Sequence, residues 1–94
     1  MTIKDRADQL IENGEKIKAF KRVFKGRNGK LALSLLEEIC FYNKSTYVKN
    51  DPQGTALNEG CRQMILKVHE LISMDDVEID KRTEDKLKMI KRVG

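Results

Sequence analysis

The segment Asp51-Pro52-Gln53-Gly54-Thr55-Ala56-Leu57-Asn58-Glu59-Gly60-Cys61-Arg62-Gln63-Met64-Ile65-Leu66-Lys67-Val68-His69-Glu70-Leu71-Ile72-Ser73 decides the fold class. An aspartate before a proline opens it. The Asp51 side chain suits the N-cap, where it accepts from the unpaired N–H groups of a first helical turn. Pro52 lacks an N–H that this turn leaves unpaired in any case. Ala56, Leu57, Gly60, Cys61, Met64, Val68, Leu71 and Ile72 then hold helical phase to about Ser73. Gly60 in mid-helix costs about 1 kcal/mol relative to alanine, and a second helix crossing closely there would offset it.

Upstream, Leu31, Ala32, Leu35, Leu36, Ile39 and Cys40 predict a helix over about 29–42, with Asn28 as N-cap. It is rich enough in apolar residues to be the most buried element. Before it, Ile3, Ala7, Leu10, Gly14, Ile17, Lys21 and Phe24 alternate by four and three, and Ile11, Phe20 and Val23 widen the stripe. One long helix over 3–25 follows, with Gly14 permitting a close contact or slight kink, and Gly26 closing the helix in the left-handed conformation. Residues 43–50 lack periodicity and read as an ordered loop, with Tyr47 and Val48 folded back on the core.

Downstream, residues 74–80 read as a polar link, and Thr83 as the cap of a last helix. Glu84 and Asp85 then occupy its first turn and Lys88, Lys91 and Arg92 its last, an order that complements the helix dipole. The expected architecture is all-α, a small three- to four-helix bundle with a long N-terminal helix. It divides into a helical core domain over 1–73 and a charged C-terminal extension over 74–94, helical from about 83.

Composition sets the scale. With 94 residues the chain makes one small core, and such cores are commonly completed by oligomerisation or docking. The formal charge of +4 favours anionic partners but falls well short of a nucleic-acid compactor. No apolar run reaches the roughly 18 residues of a membrane span, and the N-terminus has no signal-peptide core, so synthesis in a reducing cytoplasm is expected. There, Cys40 and Cys61 read as reduced thiols buried like small hydrophobes.

The inventory for catalysis is empty. His69 is the single histidine and reads as structural or solvated. Cys61 lies eight residues from it on one helix and cannot pair with it as nucleophile and base. Two cysteines and one histidine fall short of a zinc site, and no Walker loop, GxGxxG or HExxH is present. Glu37 and Glu38 read as the solvated edge of the second helix. No catalytic residue, metal or cofactor is expected, and the chain reads as a non-enzyme.

Two clusters remain as candidates for binding. Lys18, Lys21, Arg22 and Lys25 form a basic face that could hold phosphates of a nucleic acid nonspecifically, or be an ordinary solvated face. Phe20 and Phe24 share the core phase and so do not read as base-stacking residues, and no helix-turn-helix can be placed. Phe41, Tyr42 and Tyr47 bracket a loop and are candidate protein contacts, or alternatively a cap on the core.

The stretches Phe20–Phe24, Gly29, Leu33–Cys40, Thr46-Tyr47-Val48 and above all Asp-Pro-x-x-Thr-Ala-x-x-Glu-Gly-x-Arg, running from Asp51 to Arg62, resemble a family of small phage-encoded proteins. These were noticed in Bordetella podophages and recur in the structural-gene modules of short-tailed phages. The resemblance spans about residues 17–73 and leaves the tail outside. It implies a virion-associated or head/portal-assembly protein, made in the host cytoplasm and carried in the virion. Its partners would be other phage structural proteins, in a homo-oligomer or symmetric assembly. A small nucleic-acid-binding protein and a phage inhibitor of a host protein are the alternatives. On the residues themselves, Glu59 can pair with Arg62 three positions on, or Arg62 can reach Glu37 or Glu38.

Overall fold

The computed structural model describes residues 2–93, with side chains through Lys91. The expectations for the Arg92 and Val93 side chains lie outside the described residues. Four helices account for most of the chain: α1 (Ile3–Val23), α2 (Gly26–Ile39), α3 (Pro52–Ser73) and α4 (Asp76–Val93). The fold is all-α, with the long N-terminal helix that the stripe from Ile3 predicts, and no strand forms among the described residues. The helices sort into two compact units, one holding α1 and α4 and the other spanning Phe24–Ser73 with α2 and α3. Helix α4 shares a unit with α1 and supplies half of that helix pair.

In the first unit, α1 begins with a reciprocal cap. The Thr2 N–H donates to Asp5 Oδ2 (3.2 Å), and the Asp5 N–H donates to Thr2 Oγ1 (3.1 Å). These bonds to Thr2 hold the Asp5 carboxyl below its ordinary pKa. Helix α4 starts seven residues before the expected cap at Thr83. Asp75 is the cap instead: its Oδ1 accepts from the Glu78 N–H (2.7 Å) and its carbonyl from the Ile79 N–H (3.1 Å). Thr83 sits inside the helix, its hydroxyl donating to the Ile79 carbonyl (2.9 Å).

The two helices run antiparallel, as their contacts show. Lys21 Nζ meets Asp76 Oδ1 at 3.1 Å, Lys18 Nζ meets Asp80 Oδ1 at 2.7 Å, and Gly14 lies against Thr83 and Ile79. A Cβ on Gly14 would stand 3.0 Å from Thr83 Oγ1, so glycine here serves a close crossing. The same register sets Leu10 level with Leu87 and Ala7 level with Ile90, all half-buried. Ile79 is buried at the crossing, although its neighbours in sequence look like a polar link.

The ion pairs make this unit sensitive to pH. The hydrogen bond to Asp80 raises the Lys18 pKa, and the one from Lys21 lowers that of Asp76. A depressed carboxylate stabilises the fold above its unfolded pKa, and that contribution is lost as pH falls through the folded value. A raised lysine stabilises below its unfolded pKa, and its contribution is lost as pH rises through the folded value. Thermal melts should therefore hold a plateau from about pH 5 to pH 10 and decline on either side. The acid decline should be shallower in Asp76→Asn, and equal slopes in the two proteins would contradict this pairing.

In the second unit, α2 begins at Gly26, two residues before Asn28. Gly26 has the expected left-handed φ, +78°. Lys25 occupies the N-cap with no side-chain bond, so Asn28 does not cap this helix. The C-terminus is also earlier than periodicity predicts. Phe41 takes φ +61°, and the Tyr42 N–H donates back to the Glu37 carbonyl (3.0 Å), which is a Schellman closure. Glycine usually fills that left-handed position, and its absence hides the stop from a sequence reading.

Helix α2 is not the most buried element. Leu31, Leu35 and Ile39 are 59%, 57% and 59% exposed, while Gly29 is buried and Leu33 and Cys40 are half-buried on the opposite side. Its apolar residues cover more of the circumference than its neighbours within the unit can shield. On α3 the core is carried by Ile65, 1% exposed.

Candidate interaction surface

The loop before α3 is built by the residues that start that helix. Asp51 Oδ1 accepts from the Gly54 N–H (2.9 Å), as an N-cap should, and the Asp51 N–H donates to the Val48 carbonyl (3.2 Å). Thr55 Oγ1 accepts from the Val48 N–H (2.9 Å). One turn later, Asn58 Nδ2 donates to the Thr46 carbonyl (3.3 Å) and the Thr46 hydroxyl donates to Glu59 Oε2 (2.8 Å). That hydroxyl is the main reason the Glu59 carboxyl lies below its ordinary pKa, with Gln63 and Arg62 helping. Arg62 takes Glu59 as its partner, 3.6 Å away. The side chains of Asp51, Thr55, Asn58 and Glu59 thus clamp the loop to α3. Asp51→Ala should cost about 1 kcal/mol in urea unfolding and speed proteolysis within 43–50. Unchanged cleavage there would argue against the clamp.

The three aromatic candidates separate. Tyr42 stacks on His69, with ring centroids 4.5 Å apart and planes 24° from parallel, so it packs within the unit. His69 Nε2 is buried and lies 3.8 Å from Glu37 Oε1, which makes this histidine part of the same cluster. Phe41 is half-buried at the strained end of α2. Only Tyr47 stands out, 70% exposed, with Val48 beside it at 37%. The expectation that both fold onto the core fails, most plainly for Tyr47, because the clamp fixes the loop mainly through its backbone and leaves these side chains free to point away.

The four basic candidates do not share a fate either. Lys18 and Lys21 are spent on Asp80 and Asp76, and their side chains are only 15% and 12% exposed. Arg22 and Lys25 are exposed. Half of the supposed phosphate face therefore fastens α4 to α1.

A sizeable apolar opening lies elsewhere. Cys40, Gln53, Ala56, Leu57, Gly60, Cys61 and Met64 line an open groove of about 640 Å³. Leu57 and Met64 are 73% and 64% exposed. Among the described residues no helix crosses at Gly60, and an added Cβ there would meet none of their atoms within 4 Å. The cysteines are free, but Cys61 is exposed and Cys40 only half-buried, so neither is the buried thiol expected. Small-molecule sites of this size carry several convergent polar groups for orientation. Here, among the described residues and apart from the two thiols, Gln53 is the one polar side chain, and an open apolar surface of this kind suits another protein. The stripe that forms it was visible in the sequence. Its exposure was not, since the same spacing describes a buried face.

The family model of Bbp19-like phage proteins matches residues 20–91, and the chain belongs to that family. The match runs through α4, beyond the 17–73 span of the resemblance, and so includes the helix first read as a tail. No curated protein and no solved structure matches the chain.

Proposed function

We propose that this Bbp19-like phage protein is a virion-associated or head/portal-assembly component that works through protein–protein contacts and without catalysis. The observation that carries the proposal is the open apolar surface of the second unit. Leu31, Leu35 and Ile39 on α2, and Leu57, Cys61 and Met64 on α3, are all exposed. Leaving such side chains in water forgoes roughly 25 cal/mol for each Å² of apolar area that a partner would cover. Phage structural proteins, assembled in the host cytoplasm and carried in the virion, would supply that cover. A nonspecific nucleic-acid role is the weaker reading, because Lys18 and Lys21 are already paired.

Mass spectrometry of purified procapsids and virions tests the proposal. The protein should be present in at least one of them, and its absence from both would overturn the assignment. Cys61 adds a native reporter. Its thiol should react readily with a maleimide in the free chain and be protected in the particle. Recovery of the protein only with a host protein would favour inhibition of the host instead.

A further inference from the structure

We infer that the outer face of α2 pairs with the same face of a second copy of this chain, antiparallel and about a two-fold axis near Leu35. The inference rests on reading this surface as an interface and names its occupant. Helix α2 is apolar on two sides. Gly29 and Leu33 face inward, and Leu31, Leu35 and Ile39 form a second ridge at successive turns on the outside, each more than half exposed. That ridge is symmetric about its middle member. A two-fold axis at Leu35 sets Leu31 of one copy against Ile39 of the other, so each branched side chain meets an apolar counterpart.

The charges select this orientation. Arg27 and Lys30 lie in the first turns of α2, and Glu37 and Glu38 lie in its last. This order opposes the helix dipole, which favours acidic residues at the start and basic ones at the end. Helices α1 and α4 both place acidic residues in their first turn. Helical spacing sets Arg27 one turn before Leu31 and Glu38 one turn after Leu35, so both border the ridge on one side. An antiparallel copy brings the basic end of each α2 over the acidic end of the other, with Arg27 and Glu38 bordering the same side of the seam. A parallel copy would align like charges. Glu37 is half-buried and already faces His69 (3.8 Å), which leaves Glu38, exposed, as the residue available to a partner.

Sedimentation equilibrium of the full chain tests the inference. The wild type should sediment as a dimer that dissociates on dilution. Leu35→Glu should raise the dissociation constant at least about 100-fold, the effect of losing a central apolar contact. Its helicity and its melting when dilute should be unchanged, because the side chain is not part of the core. Arg27→Glu and Glu38→Arg should each weaken the dimer several-fold, and the double variant should restore it. Only a partner carrying the same two substitutions can produce that rescue. A wild type that stays monomeric up to high concentration would overturn the self-pairing, as would a dimer indifferent to Leu35→Glu. Either result leaves the presence of the protein in particles to be decided separately by mass spectrometry.

Discussion

Replacing Gly14 by leucine should destabilise the chain by about 3 kcal/mol, the upper range for forcing bulk into a packed contact. For a chain of this length that corresponds to a fall in Tm of roughly 12–24 °C. A Cβ alone would already sit 3.0 Å from Thr83 Oγ1, and Thr83 is held by its bond to the Ile79 carbonyl. The longer side chain would have to part α1 from α4 and strain the Lys18–Asp80 and Lys21–Asp76 pairs. Gly14→Ala separates sterics from propensity. Alanine favours a helix over glycine by about 1 kcal/mol, which the tight contact should largely cancel. With Thr83→Ala the nearest atom becomes Ile79 Cγ2, at an ordinary 3.7 Å, and Gly14→Ala should then stabilise. A Gly14→Leu protein melting within a few degrees of wild type would show that the helices do not cross here.

Ile65→Ala should cost a further figure of the same order, about 3 kcal/mol, because Ile65 is 1% exposed and its loss leaves a cavity. Leu35→Ala removes a similar amount of hydrocarbon from a side chain that is 57% exposed. Measured by urea unfolding at concentrations where the chain is monomeric, it should change stability by less than about 0.5 kcal/mol. Two substitutions of comparable chemistry thus differ severalfold in effect. Equal costs for the two would mean that α2 is covered within the chain, and the interaction surface would lose its basis.

The α-helical class, the start of α3 at Asp51-Pro52 and the left-handed Gly26 were all legible in the sequence. Each depends on groups close together in the chain: a carboxylate near free N–H groups, a proline ring, a missing Cβ. The Glu59–Arg62 pair was legible for the same reason, beside a long-range option from Arg62 to Glu37 or Glu38. The cap at Asp75 and the stop at Phe41 were not. Asp75 and Asp76 look like linker until α1 gives Ile79 a surface to bury against. Phe41 occupies a conformation that its side chain disfavours.

Of the candidate site residues, Tyr47 keeps an exposed position, Tyr42 joins the packing against His69, and Lys18 and Lys21 become internal fasteners. Only long-range contacts could sort them, since a lysine bound for phosphate and one bound for an aspartate 55 residues away look alike in sequence. That the chain belongs to a phage protein family was legible too, although the family match also takes in α4.

What the sequence determined by itself is therefore local: four helical segments and the limits of α1 and α3. The tertiary structure decided which apolar stripe is core and which is surface. Periodicity reports only that a helix has an apolar side. Whether that side is buried depends on which helix lies against it. The pairing of α1 with α4 covers Gly14 and Ile79, while the ridge of α2 and the groove at Gly60 are left open.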